Sequence, residues 1–149
     1  MEAENQMSSL KPLPAHGASL FRLVVGFLIA CHGASTLFGF PTSGHTVSPL
    51  AWPGGVAAAL QFGFGVLVMI GLATRTSAVA LSGTMAYAYF SVHQEKALLP
   101  MQNGGEPAAL FSWAFLMIAI VGPGPLAFDT LMAKARTRVS PTAEPAAAV

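Results

Sequence analysis

The chain has 149 residues, of which 54% are hydrophobic and 9% are charged, and its mean hydropathy is +0.62. About a quarter of the residues in a soluble globular domain are charged, so most of this protein's surface is expected to face lipid rather than water. The net charge of +1 gives no indication of nucleic-acid binding, and the single cysteine, Cys31, excludes an internal disulfide and any CxxC motif.

Four apolar segments follow a polar stretch at residues 1–17, which is predicted to be a cytosolic N-terminal tail. The segments lie at about 18–38, 55–73, 76–93 and 108–122. The first three approach the roughly 20 residues that a membrane-spanning helix needs. "GPGP" should interrupt the fourth, which could continue, kinked, to residue 131. Residues 18–131 are therefore predicted to form one transmembrane domain, and the basic, then Pro/Ala-rich residues 132–149 a disordered tail.

The positions of lysine and arginine predict how the helices are oriented. If both termini are cytosolic, Lys96 is the only basic residue of the chain on the outer side, and the other six lie on the inner side: Lys11, Arg22, Arg75, Lys134, Arg136 and Arg138. Two cytosolic termini also require an even number of spans. The predicted fold is an all-α integral membrane four-helix bundle with both termini cytosolic, multi-pass in the inner (plasma) membrane of a bacterium.

This topology places polar residues from different segments at similar depths. His32 follows Arg22 by ten residues, which places it roughly 15 Å further out. His32, Gln61, His93 and Glu106 then share the outer half of the membrane. Ionisable groups at membrane depth are candidates for function, although a histidine satisfied by a neighbouring helix explains His32 nearly as well, and His93 and Glu106 could simply be solvated near the interface.

A second polar group lies at the inner boundary and consists of Arg22, Arg75 and Asp129. Because charged groups near lipid need partners, these residues are predicted to form an ion pair, with Arg75 close to Asp129. The alternative is that the arginines extend to the interface and anchor helix ends.

Helical periodicity predicts which faces meet. Spacings of four, three and four residues predict one stripe on the third helix: Ser82, Ala86, Tyr89 and His93. Small residues on the first helix form a stripe that predicts close packing against a neighbour: Gly26, Ala30 and Gly33. Gly63 and Gly65 could do the same on the second helix.

Several stretches of the chain resemble the DoxX family of small four-helix membrane proteins. They are "LFRLVVGFLIACHGASTLFG", "QFGFGVLVMIGLATRTSAVAL", "M-x-x-A-Y-F" with a histidine close behind, and "VGPGPLAFD". The resemblance covers residues 20–131 and implies a membrane protein associated with oxidoreductases, because some relatives are subunits of a thiosulfate:quinone oxidoreductase or partner a quinol-oxidase system. The family usually carries a glutamate where this chain has Gln61, which places a proton-relay role at that position in doubt.

The resemblance and the outer polar residues favour a quinone-linked subunit or accessory component of a membrane redox complex. His32, Gln61 and His93 could donate to quinone oxygens, and Tyr89 could stack or donate. Glu106 completes the candidate ligand residues. No metal site and no covalently bound cofactor are expected, and a haem between His32 and His93 is disfavoured because no other haem motif is present.

Two other functional classes remain open. The chain could be a non-catalytic membrane anchor or assembly subunit for a soluble partner enzyme, or a small transporter that uses the outer histidines and glutamate. Leu28 to Cys31 also resembles a lipoprotein cleavage box, but the apolar run continues past Cys31, which disfavours a cleaved leader.

Overall fold

The computed structural model describes residues 12–42 and 44–139, and most of these residues are helical with no β-strand among them. The all-α class predicted from the sequence is therefore confirmed. The helices in chain order are α1 (Pro12–Phe38), α2 (Gly54–Ile70), α3 (Thr74–Ala88) continued by a π-helical turn (Tyr89–His93), α4 (Pro100–Asn103), α5 (Glu106–Val121) and α6 (Phe128–Val139).

The backbones of α1 and α2 are in direct contact because glycines leave room for them. A Cβ atom on Gly33 would lie 2.5 Å from the backbone nitrogen of Phe62, and one on Gly26 would lie 2.7 Å from that of Met69. A Cβ atom on Gly65 of α2 would lie 2.9 Å from the backbone nitrogen of Ala30 on α1, whereas one on Gly63 would have nothing within 4 Å. The predicted small-residue contact is confirmed at three glycines and does not include Gly63.

The second large contact joins α3 to α5, and a tight turn joins α2 to α3. Gly71 ends α2 with a φ of +79°, and its N–H donates to the carbonyls of Leu67 and Val68. A Cβ atom on Gly71 would lie 2.5 Å from the Cβ atom of Ala127. The turn therefore requires glycine for its left-handed backbone and for the close approach of the chain before α6.

Apolar side chains fill the centre and also cover the outside. Ile29, Val68, Leu81 and Phe115 are fully buried in one cluster. Large apolar side chains also face outward, and Trp113 is 72% exposed. By length and apolar composition, one described helical stretch, His16–Phe38 within α1, could cross a bilayer, and α2 and α5 are apolar but shorter. An outward apolar surface of this extent is typical of a protein solvated by lipid.

The ends of the helical region differ from those predicted. α1 begins at Pro12, inside the segment 1–17 that was expected to be a tail, and proline is well tolerated in a first helical turn. "GPGP" does end α5, but a separate helix follows instead of a kinked continuation. That helix, α6, extends to Val139 and so into the segment 132–149 that was expected to be disordered, because Leu, Met, Ala, Lys and Arg favour helix. Residues 1–11 and 140–149 lie outside the described residues.

Candidate functional site

A partly enclosed cavity of about 270 Å³ lies between α1, α2, α3 and α5. Three of the candidate residues selected from the sequence contribute to its wall, namely His32, Gln61 and His93. The rest of the wall is mostly apolar and consists of Ile29, Met85, Ala88, Gly104, Pro107, Ala108 and Phe111. The structure therefore brings together polar residues from three different apolar segments of the sequence.

Gln61 is the most deeply buried polar residue of this cavity, with 5% of its surface exposed. Its Nε2 lies 3.5 Å from the sulfur of Met85, and its side chain forms no other hydrogen bond with the residues that the structure describes. A thioether is a weak acceptor, and a buried polar group without a good partner costs about 1–3 kcal/mol. The amide of Gln61 thus keeps unused donor and acceptor capacity beside the cavity.

His93 reaches the cavity because the helix widens just before it. The N–H of Gln94 donates to the carbonyl of Tyr89 at 2.9 Å, which is the five-residue spacing of a π turn. A π turn holds one residue more than an α turn, so His93 lies on the same side as Met85 and Ala88. Turns of this kind occur often at functional sites.

The stripe predicted on α3 is corrected by this turn. Ser82 does not contribute to the cavity wall, and its hydroxyl donates to the backbone carbonyl of Ser112 on α5 at 2.9 Å. The prediction assumed an uninterrupted α-helix, whereas the π turn shifts His93 by one residue relative to Ser82, Ala86 and Tyr89. The stripe that faces the cavity consists of Met85, Ala88 and His93.

The imidazole of His93 is oriented by the loop that carries α4. Its Nδ1 lies 3.2 Å from the backbone carbonyl of Asn103. Since a carbonyl only accepts, Nδ1 is the donor in this contact, and in the corresponding tautomer Nε2 is an acceptor. Asn103 is itself buried, donates from Nδ2 to Ala97 at 2.8 Å, and accepts from the N–H of Gly105 at 2.7 Å.

Asn103 and Met85 were missed by the sequence analysis. The available signal for Asn103 was an asparagine ahead of two glycines, a pattern typical of turns. Met85 was quoted only as part of a family motif. His32 is exposed and contributes to the cavity wall.

Tyr89 and Glu106 lie outside the cavity. The hydroxyl of Tyr89 is 3.4 Å from the carbonyl of Leu98, and its ring packs against that of Phe90. Glu106 lines a separate groove of about 390 Å³ between α1 and α5, together with Val25, Leu110 and Ala114. The groove and the cavity share Pro107 and Phe111, so a largely apolar groove adjoins the cavity.

The opposite end of the helices contains Arg22, Arg75 and Asp129, and we call it the arginine end. Arg22 is 2% exposed. Its guanidinium donates to four backbone carbonyls, those of Val68 at 2.5 Å, Met69 at 2.6 Å, Pro123 at 2.9 Å and Leu126 at 3.1 Å. One side chain of α1 therefore joins the end of α2 to the connection between α5 and α6.

The predicted ion pair between Arg75 and Asp129 is replaced by two separate helix-capping contacts. Arg75 donates to the carbonyls of Ala119 and Ile120 at the end of α5. Asp129 accepts from the backbone N–H groups of Ala73 and Thr74 and from the Thr74 hydroxyl, each at 2.9 Å. No ion pair joins Asp129 to Arg22 or Arg75 in the described part of the chain. The free N–H groups of α3 and the free carbonyls of α5 are the better partners because they converge on each side chain.

Asp129 is held in its charged form by this capping. Desolvation raises the pKa of the carboxyl, but the hydrogen bonds from the backbone of Thr74, the backbone of Ala73 and the Thr74 hydroxyl, together with the charge of Arg22, outweigh it. The pKa of Asp129 is consequently lower than that of a free aspartate. A charged carboxylate at the N-terminus of α3 also interacts favourably with the helix dipole.

Comparison with known proteins identifies the family. The DoxX family model matches residues 17–94. An uncharacterized protein of Haemophilus influenzae is 33% identical over 131 residues, which covers 83% of this chain and 96% of that protein. The inner membrane protein YqjF of Escherichia coli K12 is 27% identical over 133 residues, covering 84% of this chain and 98% of YqjF. No solved structure matches the chain. With the family model matching more than half of its length and a relative matching most of it, this chain belongs to the DoxX family of membrane proteins.

Proposed function

We propose that this protein is a multi-pass, four-helix protein of the bacterial inner membrane that binds the head group of a quinone between His32, Gln61 and His93. It would serve as a quinone-binding subunit or accessory component of a membrane redox complex. The observation that carries the proposal is the amide of Gln61, which is buried beside a mostly apolar cavity with only a thioether as its partner.

The lengths of the helices support four spans. α2 has 17 residues and α5 has 16, which corresponds to about 24–26 Å each. α3 and its π turn extend over 20 residues together, or about 30 Å. These lengths are close to the hydrocarbon thickness of a bilayer, with modest local thinning for the shorter two. The excess of basic residues at the arginine end supports cytosolic termini.

The size of the cavity favours a single ring over a larger ligand. Sites for drug-sized molecules measure about 300–1,000 Å³, and this cavity of about 270 Å³ lies just below that range. A quinone head group has two carbonyl oxygens and an apolar ring, which matches a mostly apolar wall with a few convergent polar groups.

The groove beside the cavity supports a ligand with an apolar tail. The groove wall is apolar except at Glu106, and the groove adjoins the cavity at Pro107 and Phe111. A prenyl chain attached to a head group in the cavity would pass these two residues and lie between α1 and α5. The same groove would give a membrane lipid lateral access to the cavity.

Gln61 and His93 suit the two redox forms of such a ligand. A bound quinone would supply two-electron, two-proton redox chemistry. The Nε2 group of Gln61 would donate to a carbonyl oxygen of the oxidised form. The Nε2 atom of His93 would accept from a hydroxyl of the reduced form, because Nδ1 is already committed to Asn103.

Quinone retention tests the proposal. The parent protein and its variants would be purified in nanodiscs from native membranes, extracted with organic solvent and assayed for quinone by the absorbance change on reduction. Gln61→Leu and His32→Ala should lose the quinone and keep the parent's circular dichroism. Gln94→Leu and His45→Ala, which replace the same residue types at exposed positions outside the cavity wall, should retain it. Equal retention in all variants, or a parent without quinone, would overturn the assignment and leave the anchor hypothesis as the better account.

A further inference from the structure

The last helix, α6, has an apolar face that no other described helix covers. Phe128, Leu131, Met132 and Ala135 recur at spacings of three, one and three residues, which places them within an arc of about 100° on one side of the helix. Phe128 is 50% exposed and Leu131 is 58% exposed. α6 makes no more than isolated contacts with any other described helix.

Hydrogen bonds fix how α6 is rotated about its axis. The N–H of Asp129 donates to the carbonyl of Gly71 at 2.9 Å, and the carboxylate caps α3. The hydroxyl of Thr130 donates to the carbonyl of Gly124 at 2.8 Å. Asp129 and Thr130 therefore face the rest of the protein, and the apolar face is turned away from these contacts.

Basic side chains flank the apolar face on both sides. At 100° per residue, Lys134 and Arg136 lie about 60° and 40° beyond the two edges of the apolar arc. Both side chains are exposed. A helix with an apolar face and flanking basic residues is typical of segments that lie in the interface of a membrane rather than across it.

We infer that α6 lies along the cytosolic surface of the membrane, with its apolar face at the acyl boundary and Lys134 and Arg136 on anionic phospholipid head groups. Lipid is the occupant that the charges favour, since the surface of the cytoplasmic leaflet is negative. Large apolar side chains are exposed on the other helices as well as on α6. This inference rests on the membrane placement in the proposed function and is independent of quinone binding.

The inference is tested on the full-length protein with one fluorophore at a time. Cys31 is the only cysteine, so a Cys31→Ser background accepts a single environment-sensitive label at Ala135→Cys, on the apolar face, or at Thr137→Cys, on the opposite side. Nanodiscs that hold one protein each, with and without phosphatidylglycerol, exclude a second copy as the occupant. The label at position 135 should show blue-shifted emission and quenching by nitroxide-labelled lipid, and the label at position 137 should show neither.

The charges are tested in the same discs. Lys134→Gln and Arg136→Gln should each weaken the protection of position 135 by about fivefold in phosphatidylglycerol discs and leave it unchanged in uncharged discs. Equal exposure of positions 135 and 137 to water would overturn the inference, as would protection that does not depend on anionic lipid. Because quinone retention is measured separately, failure here leaves the cavity proposal intact.

Discussion

Replacing Arg22 with methionine is expected to destabilise the protein far more than the same replacement at Arg75. Both arginines donate to backbone carbonyls near helix ends, so they form a matched pair. They differ in burial, because Arg22 is 2% exposed and Arg75 is open to solvent. Methionine is long and flexible enough to fill most of the vacated space, so the lost hydrogen bonds account for most of the effect.

The expected loss follows from the acceptors of Arg22. The carbonyl of Val68 keeps a second donor, the N–H of Gly71, whereas the carbonyls of Met69, Pro123 and Leu126 lose the guanidinium. Hydrogen bonds between membrane helices average about 0.6 kcal/mol, and a buried group left without a partner costs about 1–3 kcal/mol. Three carbonyls near an interface that water can reach should then cost about 2–5 kcal/mol.

The assay is unfolding in mixed micelles by titration with sodium dodecyl sulfate, followed by far-ultraviolet circular dichroism. Arg75→Met should lower the free energy of unfolding by less than about 1 kcal/mol, because water replaces the arginine at an exposed site. Arg22→Lys should fall between the parent and Arg22→Met, since an ammonium supplies three donors without the planar fork. Similar losses for Arg22→Met and Arg75→Met would refute the reasoning, because burial would then have no effect.

Three further predictions concern the packing and capping of the helices, measured by the same titration. Gly33→Ala should lower the free energy of unfolding by about 1–3 kcal/mol because its Cβ atom would meet the backbone of α2. Gly63→Ala, whose Cβ atom enters open space, should be neutral or stabilising by up to about 1 kcal/mol. Equal effects of the two substitutions would contradict the packing. Asp129→Asn should cost about 0.5–2 kcal/mol at neutral pH. Because folding lowers the pKa of Asp129, the carboxylate stabilises the parent above the unfolded pKa of about 3.9, and this contribution is lost as pH falls further. The free energy of unfolding of the variant should therefore fall less steeply in acid than that of the parent. Equal slopes of the free energy of unfolding against pH would count against the cap. Ser77→Ala should be neutral or stabilising, because the buried Ser77 hydroxyl has no partner among the described residues. Ser82→Ala should lower the free energy of unfolding by about 1 kcal/mol. A larger loss for Ser77→Ala than for Ser82→Ala would show that Ser77 is the bonded serine.

The features that depend on helical periodicity and on depth could be predicted from the sequence. Gly26 and Gly33 recur at helical spacing, and the meeting of His32, Gln61 and His93 follows from counting residues along successive helices of the predicted bundle. The π turn could not be predicted in this way, because a single additional residue in a helical turn leaves the apolar pattern almost unchanged.

The hydrogen-bond partners of the charged side chains could not be predicted from the sequence either. In a sequence, an arginine and an aspartate near the same boundary suggest an ion pair. The atoms that Arg75 and Asp129 contact are instead mostly backbone groups at helix ends. Every residue carries a backbone carbonyl, so the residue types in the sequence do not indicate which carbonyl or N–H group will be the partner. Asn103 was missed for a related reason, because its contact with His93 uses the backbone carbonyl.

The dependence of the arginine end on backbone acceptors has a consequence for how the sequence can diverge. Among the residues that the structure describes, every acceptor of Arg22 is a main-chain carbonyl, and that atom persists whatever side chain occupies its position. Substitutions at Val68, Met69 or Leu126 therefore leave the chemistry of these bonds in place, whereas no other residue type supplies the donor fork of Arg22. The acceptor positions at the arginine end therefore tolerate substitution, whereas the donor position is constrained to arginine. Two chains can thus share the same contact between these helices at low overall identity.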